Sequence, residues 1–321
     1  MKTRILFSVI KGTCFLFLLG VLLLAASWLF MPKNNHKSFG FTDEEMLAGG
    51  VLGERDNSID VLVVGDSEAY SSISPMQLWE QHGFTSYLCS TSAQPLYDSY
   101  RYLRQAFEHQ SPRVVILETN AIFRTYKLND YLLSRAKVLF SVLRYHDRWK
   151  TLSVNDFGGE ARYTWTDDLK GFRYNTKVVP ADTRKYMLPT DAEQEIPLLN
   201  RACLAEMMAL CEENGAQLIL VSTPSTLNWK YARHNSIAAF AAEHGLTYLD
   251  MNTMPDEVPV NWETDTRDKG DHLNYSGAVK VTRYLGQYLT QRFELSDKRG
   301  SADFSSWNDA LQHYRNTIAA G

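Results

Sequence analysis

A serine that follows an apolar run is the first side chain in this sequence suited to nucleophilic chemistry. The four residues Val61 to Val64 are apolar and mostly β-branched, which predicts a buried parallel strand. They lead into Gly65-Asp66-Ser67, where glycine permits a sharp turn. Open α/β sheets place their ligands at the carboxyl ends of their strands. Because Gly-Asp-Ser also favours an ordinary turn, the tripeptide alone leaves both interpretations open.

The base that such a serine requires is best supplied by a histidine late in the chain. A serine hydroxyl becomes a good nucleophile only when a base removes its proton, and a third group must orient that base. Among eight histidines, His272 has the most suitable surroundings, since it follows Asp268 and Asp271 in a polar stretch. A helix capped by Ser276 is predicted to come next. A loop at the carboxyl edge of the sheet would place His272 beside Ser67.

These two segments resemble the first and last sequence blocks of the SGNH/GDSL hydrolase superfamily. The blocks are GDSEAY after a strand and D-x-x-D-H-L-N before the last helix. The resemblance implies a catalytic triad in which Ser67 is the serine and His272 the histidine. The aspartate of the family lies three residues before the histidine, where this chain has Lys269. Asp268 and Asp271 are the alternatives, and Asp268 is preferred because a loop easily absorbs one inserted residue.

The middle blocks of the family are matched less closely. The stretch VVILETNAIF resembles the third block and puts Asn120 in the place of the oxyanion-hole asparagine. A loop-capping role for Asn120 is the alternative. The second block has a glycine without a clear counterpart here, and STSAQP occupies its position. The prediction is therefore that a backbone N–H near Ser92 replaces it, with Gln94 as a further substrate-binding candidate.

Other polar residues near these blocks have simpler interpretations. Asp66 and Glu68 are predicted to cap the helix that follows the strand, in preference to forming a two-carboxylate site. Glu118 stands at the end of an apolar strand, and Arg124 is its expected buried partner. Arg233 is a candidate for lining the same cleft.

The alternation of strand and helix patterns predicts a doubly wound parallel sheet over residues 60–295. The family resemblance implies the same architecture, a flavodoxin-like three-layer α/β/α sandwich. Between residues 121 and 195 the pattern weakens and aromatics are frequent, which predicts a cap inserted into the domain. These aromatics pack the core of the cap or, alternatively, form a stacking platform for a sugar or a docking face for a membrane partner. Residues 296–321 are predicted to be a polar tail with a peripheral helix.

The N-terminus predicts a membrane anchor. Lys2, Arg4 and Lys11 flank an uncharged apolar run of roughly 20 residues, the length that crosses a bilayer. A cleaved signal peptide is the alternative, but its apolar core is usually only about 7–15 residues. The positive-inside rule leaves the N-terminus cytoplasmic. Residues 1–31 are therefore predicted as a single-pass anchor and residues 32–59 as a tether, with the catalytic domain outside the membrane.

Composition excludes several classes of function. The net charge of −4 without a basic stripe argues against nucleic acid as a partner. The sequence lacks HExxH, a P-loop and GxGxxG, so neither a metal nor a nucleotide cofactor is predicted. Cys203 and Cys211 are predicted as core thiols, because on one helix they would lie roughly 12 Å apart, too far for a disulfide.

With an anchor, the chain is similar to extracytoplasmic SGNH-like proteins that work beside membrane-bound O-acyltransferases. Those of alginate acetylation and of D-alanyl transfer to teichoic acid are examples. The resemblance implies acyl transfer or ester hydrolysis on a cell-envelope polysaccharide or teichoic-acid-like polymer, through an acyl-Ser67 intermediate. An acyl donor and a membrane-bound O-acyltransferase are the implied partners. The alternative is a catalytically weakened module that binds glycan or scaffolds the acyltransferase.

Overall fold

The chain is divided into two compact units. The computed structural model describes residues 2–158 and 160–320. Residues 1, 159 and 321, which fall in the predicted anchor, cap and tail, lie outside the described residues. The units are Met1–Thr42 with Lys127–Tyr163, and Asp43–Tyr126 with Thr164–Gly321. The predicted cap over 121–195 is thereby divided between the two units.

The larger unit is built on a five-stranded sheet. The strands are β1 (Val61–Gly65), β2 (Ser86–Ser90), β3 (Val114–Glu118), β4 (Gln217–Ser222) and β5 (Thr247–Asp250). They are all parallel and lie in the order β2-β1-β3-β4-β5. This is the flavodoxin-like order. After β1 the chain adds β2 on one side and then β3, β4 and β5 on the other, so the order of strand addition reverses between β1 and β3. The predicted fold class is confirmed.

Eleven α-helices are found within the described residues. In the smaller unit they are α1 (Lys2–Phe30), α6 (Leu128–Leu139) and α7 (Val142–Tyr145). In the larger unit they are α2 (Asp43–Gly49), α3 (Ser67–Ser72), α4 (Pro75–His82), α5 (Leu96–Phe107), α8 (Leu198–Glu213), α9 (Tyr231–His244), α10 (Tyr275–Arg292) and α11 (Ser305–Ala320). A short 3₁₀ helix, Thr119–Phe123, directly follows β3.

Strand β1 is buried on both faces, which explains its continuous apolar sequence. Successive side chains of a strand point to opposite faces, and Leu62 and Val64 lie in one apolar cluster with side chains from α5, α8 and α9. Val61 and Val63 lie in a second cluster with side chains from α3 and α10. Helices therefore cover both faces of the sheet, and the carboxyl edge of the strands remains available for a site.

Side-chain caps determine where the helices around the site begin. Ser74 accepts a hydrogen bond from the Gln77 N–H at the start of α4. At the start of α10, the Asn274 side chain accepts from the Gly277 N–H, with Asn274 in extended backbone geometry. The prediction that Ser276 caps this helix was wrong, because the asparagine two residues earlier already fills that role.

The C-terminal helix α11 belongs to the core. Its Trp307, Leu311 and Tyr314 recur at helical spacing and are buried in the first apolar cluster. The rings of Trp307 and Trp79 have centroids 5.3 Å apart. A helix in this region was predicted, but its peripheral placement was wrong, since the polar residues of 296–321 hide one apolar face.

Helix α1 is the candidate membrane span. Within the described residues it has the length and apolar composition to cross a bilayer, over Arg4–Phe30. A signal sequence meets the same criteria.

Candidate active site

Ser67 lies at the reversal point of the sheet. It follows β1 and is the first residue of α3, with Asp66 as the N-cap that accepts a hydrogen bond from the Glu68 N–H. Within the described residues 61–79, Ser67 is the only partly exposed side chain before Glu80, and the others are buried. At Gly65 any Cβ atom would lie 2.7 Å from the Cβ atom of Glu118, so β1 and β3 approach closely only because this residue is glycine.

Three buried carboxyl groups interact electrostatically around the end of β1, those of Asp66, Glu68 and Glu118. Asp66 Oδ2 accepts hydrogen bonds from Asn120 Nδ2 and Arg124 Nη2, both at 2.9 Å. Burial raises the pKa of Glu68, and the charges of Glu118 and Asp66 raise it further. Burial likewise raises the pKa of Glu118, with repulsion from Asp66 as the next cause. The arrangement therefore favours protons on these two glutamates.

Arg124 is not the partner of Glu118 that the sequence suggested. The Glu118 carboxylate accepts a hydrogen bond from the Asn120 N–H at 3.0 Å. Its other oxygen lies 3.4 Å from both the N–H and the hydroxyl of Thr223. Arg124 instead pairs with Asp66, whose carboxylate is fully buried. The predicted capping role of Asp66 is confirmed, whereas the Glu68 side chain takes part in a different contact, described below.

His272 is held by Asp268 in a tight loop before α10. Asp268 Oδ2 lies 2.6 Å from His272 Nδ1, and Asp268 Oδ1 accepts from the His272 backbone N–H at 2.7 Å. The nearest carboxylate oxygen of Asp271 is 3.6 Å from the same ring nitrogen. Lys269 and Gly270 have φ values of 68° and 92°. These left-handed residues accommodate the extra position between the acid and the histidine.

The tautomer of His272 follows from this contact. A carboxylate can only accept hydrogen bonds, so Nδ1 carries a hydrogen, and in the neutral ring Nε2 has the lone pair. The Nε2 atom is buried and has no hydrogen-bond partner among the described residues. No hydrogen bond therefore joins it to the hydroxyl of Ser67 in this structure. Nucleophile–base contacts are often long before substrate binds.

An asparagine that the sequence analysis did not single out connects the two segments. Asn228 Nδ2 donates to Glu68 Oε1 at 2.7 Å and to Asp271 Oδ1 at 2.5 Å. Glu68 is the chain neighbour of Ser67, and Asp271 is the chain neighbour of His272. One amide group thus ties the serine segment to the histidine loop.

Three further contacts fix the same loop. Arg267 Nη2 donates to Ser71 Oγ on α3 at 2.8 Å. The Ser225 hydroxyl is 2.8 Å from the carbonyl oxygen of Asp271, and Thr226 N–H donates to the carbonyl of Gly270 at 2.8 Å. The histidine loop is therefore attached to α3 on one side and to the segment after β4 on the other.

Asn120 is placed at the site, in a polar network of its own. Its Nδ2 donates to Asp66, and its Oδ1 accepts from Arg233 Nη1 at 2.9 Å. Arg233 also donates to the carbonyl of Asn228 at 2.6 Å. An amide nitrogen carries two hydrogens, and Asp66 accepts only one of them. Arg233, predicted as cleft lining, instead joins the asparagines that follow β3 and β4.

Ser92 and Gln94 are committed to contacts within the fold. The Ser92 N–H and hydroxyl both donate to the carboxylate of Glu44, at 3.3 and 2.6 Å. Gln94 is buried, and its amide donates to the Cys89 carbonyl and the Ser99 hydroxyl. These contacts give Gln94 a structural role in its own loop. Ser92 is nevertheless linked to α3, since its hydroxyl is 3.0 Å from the hydroxyl of Tyr70.

The residues that sequence reasoning missed share a detectable signal. Asn228 and Ser225 follow β4, as Asn120 follows β3 and Ser67 follows β1. Parallel strands end at the same edge of a sheet, so the polar residues that follow each strand are expected to lie close together at that edge.

A cation is geometrically compatible with part of the site. Asp268, Asp271 and His272 each offer one donor atom, and these atoms lie within 4.8 Å of one another. The carboxylate of Asp268 already binds the ring, and that of Asp271 already accepts from Asn228. The three residues are therefore better explained as a hydrogen-bonded cluster.

The comparisons with known proteins give structural similarities alone. No protein-family model and no curated protein matches the sequence. A lipase/acylhydrolase from Enterococcus faecalis has a TM-score of 0.40 and 11% identity, over 75% of this chain and 100% of that one. A GDSL-like lipase from Bacteroides thetaiotaomicron has 0.37 and 13%, over 73% and 88%. The Clostridium thermocellum family 3 carbohydrate esterase has 0.36 and 13%, over 73% and 96%.

Proposed function

We propose that this protein is an extracytoplasmic serine esterase or O-acyltransferase that acts on a cell-envelope polymer through an acyl-Ser67 intermediate. The observation that carries the proposal is the Asp268–His272 pair, with a free Nε2 lone pair, in a loop tied to the serine segment by Asn228. Acyl transfer requires an oriented imidazole that can reach the serine hydroxyl, and the link made by Asn228 between the two segments supports such an approach.

In the first half of the reaction, Ser67 Oγ attacks the carbonyl carbon of an ester while His272 Nε2 takes its proton. The Asp268 carboxylate stabilises the imidazolium that forms. The tetrahedral intermediate collapses, the alkoxide leaves, and the proton on Nε2 passes to that alkoxide. The acyl group remains on the serine oxygen.

In the second half, a hydroxyl group attacks the acyl-serine and His272 Nε2 accepts its proton. The bond between the acyl carbon and Ser67 Oγ then breaks, and the proton on Nε2 passes to the serine oxygen. Water gives hydrolysis, and a polymer hydroxyl gives transfer. The second hydrogen of the Asn120 amide is a donor for the oxyanion in both halves. A single side-chain donor of this kind contributes about 3–4 kcal/mol to transition-state stabilisation.

The cellular context of the proposal is the outer face of a membrane. Helix α1 supports a single-pass anchor, because its apolar run is too long for the core of a typical signal peptide. The cations at positions 2, 4 and 11 precede that run and favour a cytoplasmic N-terminus. A domain held there has envelope polymers as its acceptors and a membrane-bound O-acyltransferase as its source of acyl groups.

The proposal is tested first with a fluorophosphonate probe on the full-length protein in detergent. Wild-type protein should be labelled, Ser67→Ala should not, and His272→Ala should be labelled far more slowly. Ser305→Ala, an exposed serine of α11, is the matched control and should behave as wild type. Circular dichroism checks that each variant is folded. Labelling that persists in folded Ser67→Ala would refute the mechanism.

A second experiment separates transfer from hydrolysis. The protein is incubated with p-nitrophenyl acetate and either glycerol or a wall oligosaccharide, and the products are identified by mass spectrometry. An acetylated oligosaccharide that depends on Ser67 supports transfer to an envelope polymer. Acetate alone, at the same rate with and without acceptor, restricts the protein to ester hydrolysis.

A non-catalytic module that binds glycan or scaffolds an acyltransferase is the second candidate. It is favoured by the contacts that occupy the Ser92 N–H, which leave the second-block donor without a free replacement. In this case wild-type protein would react with the fluorophosphonate no faster than Ser67→Ala, while still binding the oligosaccharide or co-purifying with the acyltransferase.

A further inference from the structure

Helix α6 has its apolar side chains on the outside. Leu128, Leu132 and Leu139 are 55%, 54% and 68% exposed. Their spacing of four and seven residues places them on one face of the helix, here called the leucine stripe. Ser134, on another face, is buried. A helix at the surface of a water-soluble domain shows the opposite arrangement.

The rest of the segment after α6 continues this pattern. Three more large apolar side chains of the segment are well exposed: Trp149, Val154 and Phe157. Apolar surface of this extent marks a site for a membrane or a partner.

The same compact unit contains the end of α1. The Ser141 hydroxyl donates to the carbonyl of Ser27, and the Val142 N–H donates to the Ser27 hydroxyl, at 3.1 and 3.3 Å. Arg148 Nη1 donates to the carbonyl of Phe30 at 2.7 Å. Helix α7 and the residues after it are therefore attached to the last turn of the candidate span.

This attachment fixes the depth of the segment if α1 spans a bilayer. Ser27 lies four residues before Met31, where the apolar run ends. At 1.5 Å per residue this is about 6 Å inside the outer end of the run. Amphipathic elements that lie in a membrane surface bury their apolar face about 5–10 Å deep. The contact point is thus at the depth of the boundary between headgroups and acyl chains.

We propose that residues 127–157 lie in the outer lipid interface, with the leucine stripe facing the acyl chains. The proposal rests on the membrane span included in the proposed function. It makes this segment a second membrane contact beside α1.

Charge and aromatic placement favour lipid as the occupant. Between residues 127 and 157 the chain has six cations and three carboxylates: Lys127, Arg135, Lys137, Arg144, Arg148 and Lys150 against Asp130, Asp147 and Asp156. Arg148 and Asp156 form a buried pair, and outside this pair the segment has five cations and two carboxylates. Basic residues beside exposed leucines are typical of segments that bind anionic headgroups. Lys33 lies 4.7 Å from the ring of Trp28, and Lys150 lies 5.7 Å from the ring of Trp149. Tryptophan with a neighbouring lysine is typical of membrane interfaces.

The test uses full-length protein in nanodiscs of phosphatidylcholine and phosphatidylglycerol, with nitroxide groups on the acyl chains as quenchers. In a Cys14→Ser background, Leu132→Cys and Leu139→Cys are labelled with an environment-sensitive fluorophore. Asp309→Cys, exposed on α11, is the matched control. The other native thiols, Cys89, Cys203 and Cys211, are buried. Wild-type Cys14, exposed on α1, reports the span itself.

Nitroxide lipids should lower the fluorescence at positions 132 and 139 by about half, because a residue at this depth is within reach of acyl-chain quenchers. The control at position 309 should not change. Quenching at Cys14 without quenching at positions 132 and 139 would refute the proposal that residues 127–157 lie in the lipid interface, while supporting α1 as a membrane span. Absence of quenching at all three positions would refute both the interfacial segment and the membrane span. If the labels at positions 132 and 139 report an apolar environment only after a membrane-bound acyltransferase is added, the leucine stripe binds that protein and not lipid. None of these outcomes depends on catalysis, which the fluorophosphonate experiment tests separately.

Discussion

The Asp268 carboxylate contacts His272 at two points, the ring Nδ1 at 2.6 Å and the backbone N–H at 2.7 Å. The backbone contact fixes the position of His272 in the loop. The ring contact leaves Nε2 as the ring nitrogen that points away from Asp268. Asp271, although adjacent in sequence, is 3.6 Å from the ring and accepts instead from Asn228. The two aspartates therefore have different roles.

Asp268→Asn should lower kcat by about 10²–10⁴, because an amide at this position allows the wrong tautomer of His272. Asp271→Asn should have a much smaller effect, since its main contact is with Asn228. Ester hydrolysis and circular dichroism, measured on both variants, provide the comparison. Equal losses in the two variants would show that the ring contact of Asp268 has no special role.

Asn228→Ala should lower kcat more than it changes KM, because it frees the histidine loop from the serine segment without removing a reacting group. It also leaves the buried carboxyl oxygen of Glu68 without its donor, which costs about 1–3 kcal/mol of stability. Steady-state kinetics and denaturant unfolding measure the two effects. Asn214→Ala, at the exposed end of α8, is the control and should change neither.

Glu68→Gln should make the stability of the protein less dependent on pH. Burial raises the pKa of Glu68 above the usual value of 4.5, so the folded state holds this proton more tightly than the unfolded state. Stability from this group is therefore present at low pH and is lost as pH rises through the folded-state pKa. Glutamine keeps an acceptor for Asn228 and does not titrate.

The measurement is denaturant unfolding over a series of pH values that starts below the usual carboxyl pKa and rises, because the loss begins above the unfolded-state pKa and ends at the folded-state pKa. The variant should gain stability over wild type on the alkaline side. Glu243→Gln, an exposed glutamate of α9, should follow the wild-type curve. A Glu68→Gln curve that runs parallel to wild type would mean that Glu68 is ionised throughout. Glu118 keeps part of the pH dependence in all variants, since burial raises its pKa too.

Trp307→Ala should destabilise the larger unit by about 3–5 kcal/mol, as expected for removal of a buried aromatic ring. The ring is 2% exposed, packs against Trp79 and donates to Glu54 Oε2 at 3.1 Å. Thermal or denaturant unfolding measures the loss. The control is Gln312→Ala on the exposed face of the same helix. A loss below about 1 kcal/mol would contradict the burial of Trp307 and support the peripheral placement of α11 that was predicted from the sequence.

Local patterns explain what could be predicted. The run Val61 to Val64, the turn at Gly65 and the polar stretch before α10 are each short and each dictated by their own residues. The order of the strands follows from the alternation of elements together with the rules for parallel sheets. Asp268 was preferred over Asp271 because a loop can absorb one extra residue. Whether this loop does so depended on the backbone geometry at Lys269 and Gly270, which no local sequence pattern determines.

Contacts between distant segments explain what could not be predicted. Asn228 links α3 to the histidine loop only because folding brings both within hydrogen-bonding distance of its side chain. No pattern in the neighbouring sequence indicates this contact. The burial of α11 depends on Trp79, more than two hundred residues earlier. The attachment of residues 141–148 to the end of α1 is of the same kind. In each case the informative partner lies far away along the chain.

The burial of α11 has a consequence for biosynthesis. Trp79 and Trp307 are more than two hundred residues apart, so the apolar surface of Trp79 stays uncovered until α11 has been synthesised. A nascent chain without α11 therefore exposes part of its core to solvent.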